Sequence, residues 1–354
     1  MTQFKYDFDH LNMGEQTSVH RPIFAKKVHD LASAIAWAEG ADISQLRAFL
    51  NKDKQKPLIV FGAGGSSSSC QYAAMLVNLN GGFATACTPM MIRMYSKESL
   101  INARYLCISA SGMAKDINSA AEYLLRLNPK AFCGLTIAPK ESKRNKLAKL
   151  MEQYADCTSL CFDSKIHNDG FVGAKKHVAL FSLLYRSFYE ETEICSKIFD
   201  DKQPPYEANC ELAGLQDFNL LHGGLGEAAA KDLESRFVET GMGFSMVSCL
   251  KNFTHGRHTY INKHPECAIV LFETPDDMSF AEKIVSLYPA ETPIIRIRSR
   301  FSTPLSAIEL LVKSCYLALD LGLTQGVDPA RPQPPRYGSQ LYDLDSREYL
   351  EFVN

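Results

Sequence analysis

Several deciding features are missing from this 354-residue sequence. It has no apolar run approaching the ~18 residues that a membrane span requires. It has no strong charge of either sign: 38 Lys and Arg against 40 Asp and Glu leave a net charge of −2. That balance makes no electrostatic case for nucleic acid or an anionic membrane as partner. Its 11 cysteines include no C-x-x-C pair; the closest two, Cys157 and Cys161, lack a second pair to complete a zinc site. Most cysteines sit in apolar runs such as "YLCISA" and "ECAIVLF", where a thiol acts as a small hydrophobe and suits a reducing compartment. The opening "MTQFKYDFDH" lacks the basic-then-apolar pattern of a secretory signal. A soluble, cytoplasmic protein is expected.

What is present is a βα rhythm that occurs twice. After a polar start, Pro22 to Leu50 carries helical spacing, interrupted by "EGAD". Leu58–Phe61, Tyr105–Ile108 and 132–137 read as buried strands. Cys70–Asn78, Ile117–Leu127 and 144–154 read as the helices between them, and 177–190 as a long helix after them. Then "DFNLLHGGLGEAAAKDL" parallels "KPLIVFGAGGSSSSCQY", "CAIVLFETPDD" parallels "YLCISASGMAKD", and "TPIIRIRS" parallels "AFCGLTIA". Residues 306–321 repeat the long helix. The fold class implied is α/β, two doubly wound parallel-sheet halves related by internal duplication. The expected divisions are a helical lead-in over 1–56, a first domain over 57–199, a second over 200–325 and a tail over 326–354. The prolines of "GVDPARPQPPRYGSQLYDL" exclude helix or central strand, so the tail is expected as an extended surface arm.

"VFGAGGSSSSC" has the order strand, glycine turn, helix, which holds anions on backbone N–H groups. A dinucleotide fingerprint would need glycine at Ser67 and an acid about 20 residues on; a P-loop would need G-K-[ST]. Neither is met. Hydroxyls remain, and they suit a phosphate or a polyol equally. A second such element, "SASG" at Ser109–Gly112, also closes a strand and precedes a helix. Either alone reads as an N-cap; two at equivalent strand ends point to a small phosphorylated, hydroxyl-rich ligand.

These pieces resemble the sugar isomerase (SIS) superfamily, in particular the isomerase half of glucosamine-6-phosphate synthase and the fructosamine-phosphate deglycases. "GAGGSS", with Gly65, Ser66 and Ser67, is similar to the family's first sugar loop. "ISASGMAKD" resembles its phosphate loop, keeping Ser109, Ser111 and Gly112 but placing Ala114 where a threonine is usual. "HNDGFVGAKK" aligns Asp169 and Lys176 with the acid and lysine of a further family segment. "AAAKDLESRFVETG" and "FTHGRH" resemble the family's L-K-E helix and K-H-G-P loop, with Glu239 and His255 sixteen residues apart, as in the family. Arg236 takes the place of a family lysine, and Arg257 replaces the proline after H-G. A glutaminase like the synthase's is not expected in the short region before the first strand, and the tail offers Gln340 where the synthase has a lysine.

The resemblance implies a phosphosugar-binding enzyme, an aldose–ketose isomerase or a deglycase or deaminase. Glu239 is the implied proton-shuttling base, His255 the ring-opening acid and Arg236 their companion. Gly65, Ser66, Ser67, Ser109, Ser111, Gly112, Asp169 and Lys176 are the implied ligand-binding set. It also implies a homodimer in which the histidine loop crosses to the partner. No cofactor is expected. Nor is a metal: His255, His258 and His264 lack the H-E-x-x-H pattern, with only Glu266 close by. Two alternatives stay open: a catalytically silent phosphosugar sensor regulating a partner protein, and an enzyme acting on the sugar of a nucleotide-like molecule covered by the tail.

Overall fold

The structure, a computed structural model, describes residues 22–166, 170–200 and 203–344. Three helices lead in: α1 (Ile23–Val28), α2 (Leu31–Gly40) and α3 (Ser44–Asn51). The first βα series runs β1 (Leu58–Phe61), α4 (Ser66–Leu79), β2 (Ala84–Cys87), α5 (Lys97–Ile101), β3 (Arg104–Ile108), α6 (Lys115–Leu127), β4 (Phe132–Thr136), α7 (Lys146–Met151) and β5 (Thr158–Cys161). Helices α8 (Lys175–Arg186) and α9 (Ile194–Phe199) follow. The second series runs β6 (Glu207–Ala208), β7 (Asp217–His222), α10 (Glu227–Thr240), β8 (Phe244–Cys249), α11 (Leu250–Phe253), α12 (His258–Lys263), β9 (Ala268–Glu273), α13 (Met278–Val285) and β10 (Ile294–Arg298). Helices α14 (Leu305–Gln325) and α15 (Gly338–Tyr342) end it.

The chain forms two compact units, each discontinuous in sequence. One holds the first sheet, with 37–166, 176–191 and 333–344; the other holds the second sheet, with 22–36, 170–175 and the described residues of 192–332. The lead-in expected as one segment is therefore shared between the two.

The first sheet has the order β2-β1-β3-β4-β5, all parallel. From β1 the chain steps to β2 on one side, then over β1 to β3 and outward. Because crossovers are right-handed, this reversal sends successive helices to opposite faces. Strand residues alternate accordingly: Ile59, Phe61, Tyr105 and Cys107 pack with Ile117, Leu124 and Leu147. Helices α4 and α8 meet through Tyr72 and Phe181, whose rings stack at 4.5 Å.

The second sheet repeats this plan as β8-β7-β9-β10, with β7, β8, β9 and β10 parallel. Its fifth position differs. The two-residue β6 pairs antiparallel with β10 where the first sheet has parallel β5. The duplicated, doubly wound α/β class thus holds in both units. Four strands missed by periodicity, β2, β5, β6 and β8, all lie at a sheet edge. Helix α4 begins at Ser66, four residues before the expected start, so all four serines lie in its first turn. The tail is irregular through most of its prolines, as expected, but closes in the short helix α15.

The second unit is knit by buried charge. Glu309, fully buried on α14, accepts from Ser299 Oγ at 2.6 Å, Arg300 N at 2.9 Å and Arg300 Nε at 3.0 Å. Lys313 lies 3.4 Å from the same carboxylate. Asp328 holds α1 by accepting from Ile23 N at 2.8 Å and Phe24 N at 3.2 Å. Among the described residues no helix is long and apolar enough to cross a membrane, and all 11 cysteines are free. Removing one partner of a buried ion pair strands the other, at roughly 3–5 kcal/mol. Glu309→Ala is therefore expected to destabilise the chain by about that much in urea unfolding, and Glu309→Gln by less, since the amide still accepts hydrogen bonds.

Candidate functional site

Both serine elements fall at the carboxyl edge of the first sheet, one after β1 and one after β3. These strands are hydrogen-bonded neighbours, Phe61 opposite Cys107. Their crossovers depart in opposite directions, so the edge between them is the switch point where open parallel sheets bind ligands.

The first loop turns β1 directly into α4. A Cβ on Gly65 would fall 2.2 Å from Cε1 of the buried His177, so the imidazole packs directly against the bare backbone. Ser67 N donates to Gly64 O at 2.9 Å and Ser68 Oγ to Gly65 O at 2.9 Å, while Ser69 is fully buried. Ser66 is 7% exposed, and its Oγ accepts from Ala110 N at 3.4 Å, joining the two loops. Ser67 is half-buried. No side chain caps α4; its first two N–H groups, of Ser66 and Ser67, donate to Ala63 O at 3.2 Å and Gly64 O at 2.9 Å, and its positive dipole end lies at this edge.

The second loop is held open from behind. Ser109 Oγ accepts from Gly112 N at 3.1 Å, and Ser111 Oγ accepts from Met113 N at 3.3 Å. Gly112 has φ +69°, and a Cβ there would lie 2.0 Å from Asn145 Oδ1. Asn145 is fully buried; its Oδ1 accepts from Ala148 N at 3.1 Å and its Nδ2 donates to Thr136 Oγ1 at 3.1 Å. Asn118 Nδ2 donates to Gly112 O at 3.2 Å and Ala114 O at 2.6 Å. The sequence reading missed His177, Asn118 and Asn145. Only Asn145 had a local signal, as an N-cap residue type before "KLAKLM".

Lys176, the second residue of α8, is half-buried. Asp169 lies outside the described residues. The tail reaches the second loop's helix: Lys115, first in α6, donates to Asp343 O at 2.9 Å and lies 3.2 Å from its carboxylate. Gln340 is exposed on α15.

The second unit carries the other expected residues, at opposite edges of its sheet. Glu239 is the penultimate residue of α10, which runs from the carboxyl edge of β7 back to the start of β8. It is exposed and accepts from Ser235 Oγ. His255 follows β8 and α11, and is also exposed. The six residues of β8 lie between these positions, about 20 Å of strand at ~3.3 Å per residue. One chain therefore does not bring the two together. Arg236, expected on the face of Glu239, turns inward instead. It is 1% exposed, its Nε donates to Asp232, and its guanidinium lies 5.8 Å from the Phe24 ring centroid. Glu234, unremarked in the sequence, is half-buried, and burial raises its pKa, with the Glu239 charge adding to the rise. Of the three histidines, only His264 joins a cluster of ligand-type groups: Asp217, His264 and Glu266 bring ligand atoms within 4.8 Å, and Tyr260 OH donates to Asp217 at 3.0 Å.

Strand register equates Thr274 with Ser109 and Asp277 with Gly112. The second switch point is filled from within. A Cβ on Gly223, the counterpart of Gly62, would fall 1.9 Å from Asp277 Oδ2. That carboxylate accepts from Thr274 N at 2.8 Å and Thr274 Oγ1 at 3.0 Å. Burial raises its pKa, the Thr274 hydrogen bonds oppose the rise, and Glu273 and Asp276 add to it. Beside it His222 Nδ1 accepts from Gly224 N at 3.2 Å, and burial lowers that imidazole's pKa. The second crevice holds its own anion; the first presents hydroxyls.

Tandem doubly wound halves, each with a glycine turn and a polar loop flanking its switch point, define the structural class. No family model and no curated protein sequence matches the chain. Solved structures do match in fold. Tagatose-6-phosphate ketose/aldose isomerase from Escherichia coli superposes with a TM-score of 0.68 at 16% identity, over 88% of this chain and 95% of that one. Glucosamine-6-phosphate deaminase from Thermotoga maritima gives 0.64 at 12% identity, over 88% and 97%. The C-terminal domain of glucosamine-fructose-6-phosphate aminotransferase from Francisella tularensis gives 0.62 at 12%, over 88% and 99%. The resemblance read from the sequence holds at the level of the fold.

Two outcomes follow from this geometry. Gly112→Ala forces a side chain into left-handed backbone and against Asn145, and is expected to cost at least ~1–2 kcal/mol in thermal or urea unfolding. For Asp277, a raised folded pKa favours the protonated form. Its stabilising contribution is full below the unfolded value near 3.8 and is lost as pH rises through the folded value. Asp277→Asn is thus expected to be as stable as wild type at neutral pH, or more stable by up to ~1 kcal/mol, with the advantage vanishing in acid.

Proposed function

We propose that the chain is a phosphosugar-binding enzyme, an aldose–ketose isomerase or a deglycase or deaminase of sugar phosphates and amino-sugar phosphates. The observation that carries this reading is the pair of hydroxyl-bearing loops joined across the first switch point by Ser66 Oγ and Ala110 N. In this reading the Ser67 and Ser111 hydroxyls hold the phosphate and sugar oxygens, with the positive dipole end of α4 behind them. Gly65, Ser66, Ser109 and Gly112 shape the loops, with Lys176 and Asp169 as further contacts. The structures similar in fold include a sugar-phosphate ketose/aldose isomerase and an amino-sugar-phosphate deaminase, which supports the ligand class.

Glu239 serves as the base that moves a proton between C1 and C2 of an open-chain sugar, and His255 as the acid that opens the ring or protonates a leaving amine. Their separation by the length of β8 supports a homodimer in which each site takes His255 from the partner chain. Arg236 acts indirectly in this scheme, by fixing α10 through Asp232.

The alternative is a catalytically silent sensor. An exposed Glu239 and an Arg236 committed to Asp232 favour it.

A thermal-shift screen over hexose and hexosamine 6-phosphates, followed by turnover assays, separates the two. A ligand at a hundred times its Kd stabilises by ~2.7 kcal/mol, and Ser109→Ala with Ser111→Ala is expected to weaken binding about tenfold. Glu239→Gln is expected to lose at least ~100-fold in turnover while still binding. A tight ligand that wild type neither isomerises nor deaminates establishes the sensor. Failure of every phosphosugar to bind defeats both.

A further inference from the structure

The first unit carries another recess, at the edge of its sheet opposite the serine loops. Lys52, Asp53 and Lys56 between α3 and β1, Arg104 at the start of β3, and Asn128 and Lys130 after α6 line a cavity of about 440 Å³. Its volume lies within the range of small-molecule sites, roughly 300–1,000 Å³.

Arg104 distinguishes this cavity from a patch of surface lysines. The residue is 4% exposed, and its guanidinium lies 5.7 Å from the Phe49 ring centroid. Nη1 donates to Phe49 O at 2.7 Å. Nε and Nη2 are buried and have no hydrogen-bond partner among the described residues. A guanidinium held out of water with idle donors is costly, and a negative charge close by offsets that cost. Closed off from solvent at these atoms, Arg104 acts on the cavity through its positive charge from beneath the floor, where low solvent exposure strengthens its pull on an anion.

The surrounding charge points the same way. Lys52, Lys56 and Lys130 are exposed at the rim and form no ion pair among the described residues. With Arg104 they place four positive groups against the single carboxylate of Asp53. One carboxylate neutralises a quarter of this, so the recess suits an anion of multiple charge. Nothing in the serine loops resembles it: those offer hydroxyls, and this offers permanent cations.

We propose that this recess is a second anion site, which binds a small molecule bearing two or more phosphate charges, with Arg104 beneath its floor and the three lysines as its rim. It is separate from the phosphosugar site and does not depend on that assignment.

Inorganic pyrophosphate is the probe, titrated calorimetrically into the full chain. Wild type is expected to saturate. The triple variant Lys52→Gln, Lys56→Gln, Lys130→Gln, which alters only exposed side chains, is expected to bind at least tenfold more weakly. Arg104→Met is expected to do the same. Ser109→Ala with Ser111→Ala is expected to leave this binding unchanged. No binding to wild type at millimolar pyrophosphate, or equal affinity in the triple lysine variant, overturns the proposal. The lysine variant decides the matter even where Arg104→Met fails to fold.

Discussion

The pairing of β1 with β3 is the constraint on which the candidate site depends. Two neighbouring parallel strands whose connections leave toward opposite faces must part at their carboxyl ends. The backbone there has to turn at once, and its N–H groups need acceptors. Glycines make the turns, and serines satisfy part of the backbone. His177 behind Gly65 and Asn145 behind Gly112 then fix the two loops from the protein side, so the polarity of the crevice is set by packing as much as by the serines themselves.

The same construction appears in the second unit with the opposite electrostatic outcome. There Asp277 supplies the acceptor that Thr274 and the loop require, and Glu273, fully buried, binds Arg296 and Arg298 along the same edge. A duplicated fold has thus kept its backbone plan while satisfying its edge internally in one copy. This division of labour explains why the glycine turn "GGLG" reads like a binding loop in sequence and yet is closed in structure.

Much of the fold was legible because buried parallel strands are short apolar runs. Leu58–Phe61 was placed to the residue, and β3 and β4 to within one. The edges were not legible: "ATAC" in β2 and "TSLC" in β5 carry no apolar run, since an edge strand is covered on fewer sides. Helix α4 was read too short because serine is a poor helix former that nevertheless sits well in a first turn. At the site, residue types were readable and directions were not. Arg236 and Glu239, three apart on one helix, promised a shared face, but a guanidinium finds Asp232 one turn back and a cation–π contact with Phe24. His177 and Asn145 act through tertiary proximity to glycines, which no local pattern encodes.

The run of β8 between Glu239 and His255 has a consequence for regulation. A reaction needing both groups would belong to the assembled pair of chains and not to either alone. Its rate per chain would then rise with protein concentration and fall on dilution. Any event that loosens the association, such as a modification at the histidine loop, would act as a switch without touching the sugar-holding loops.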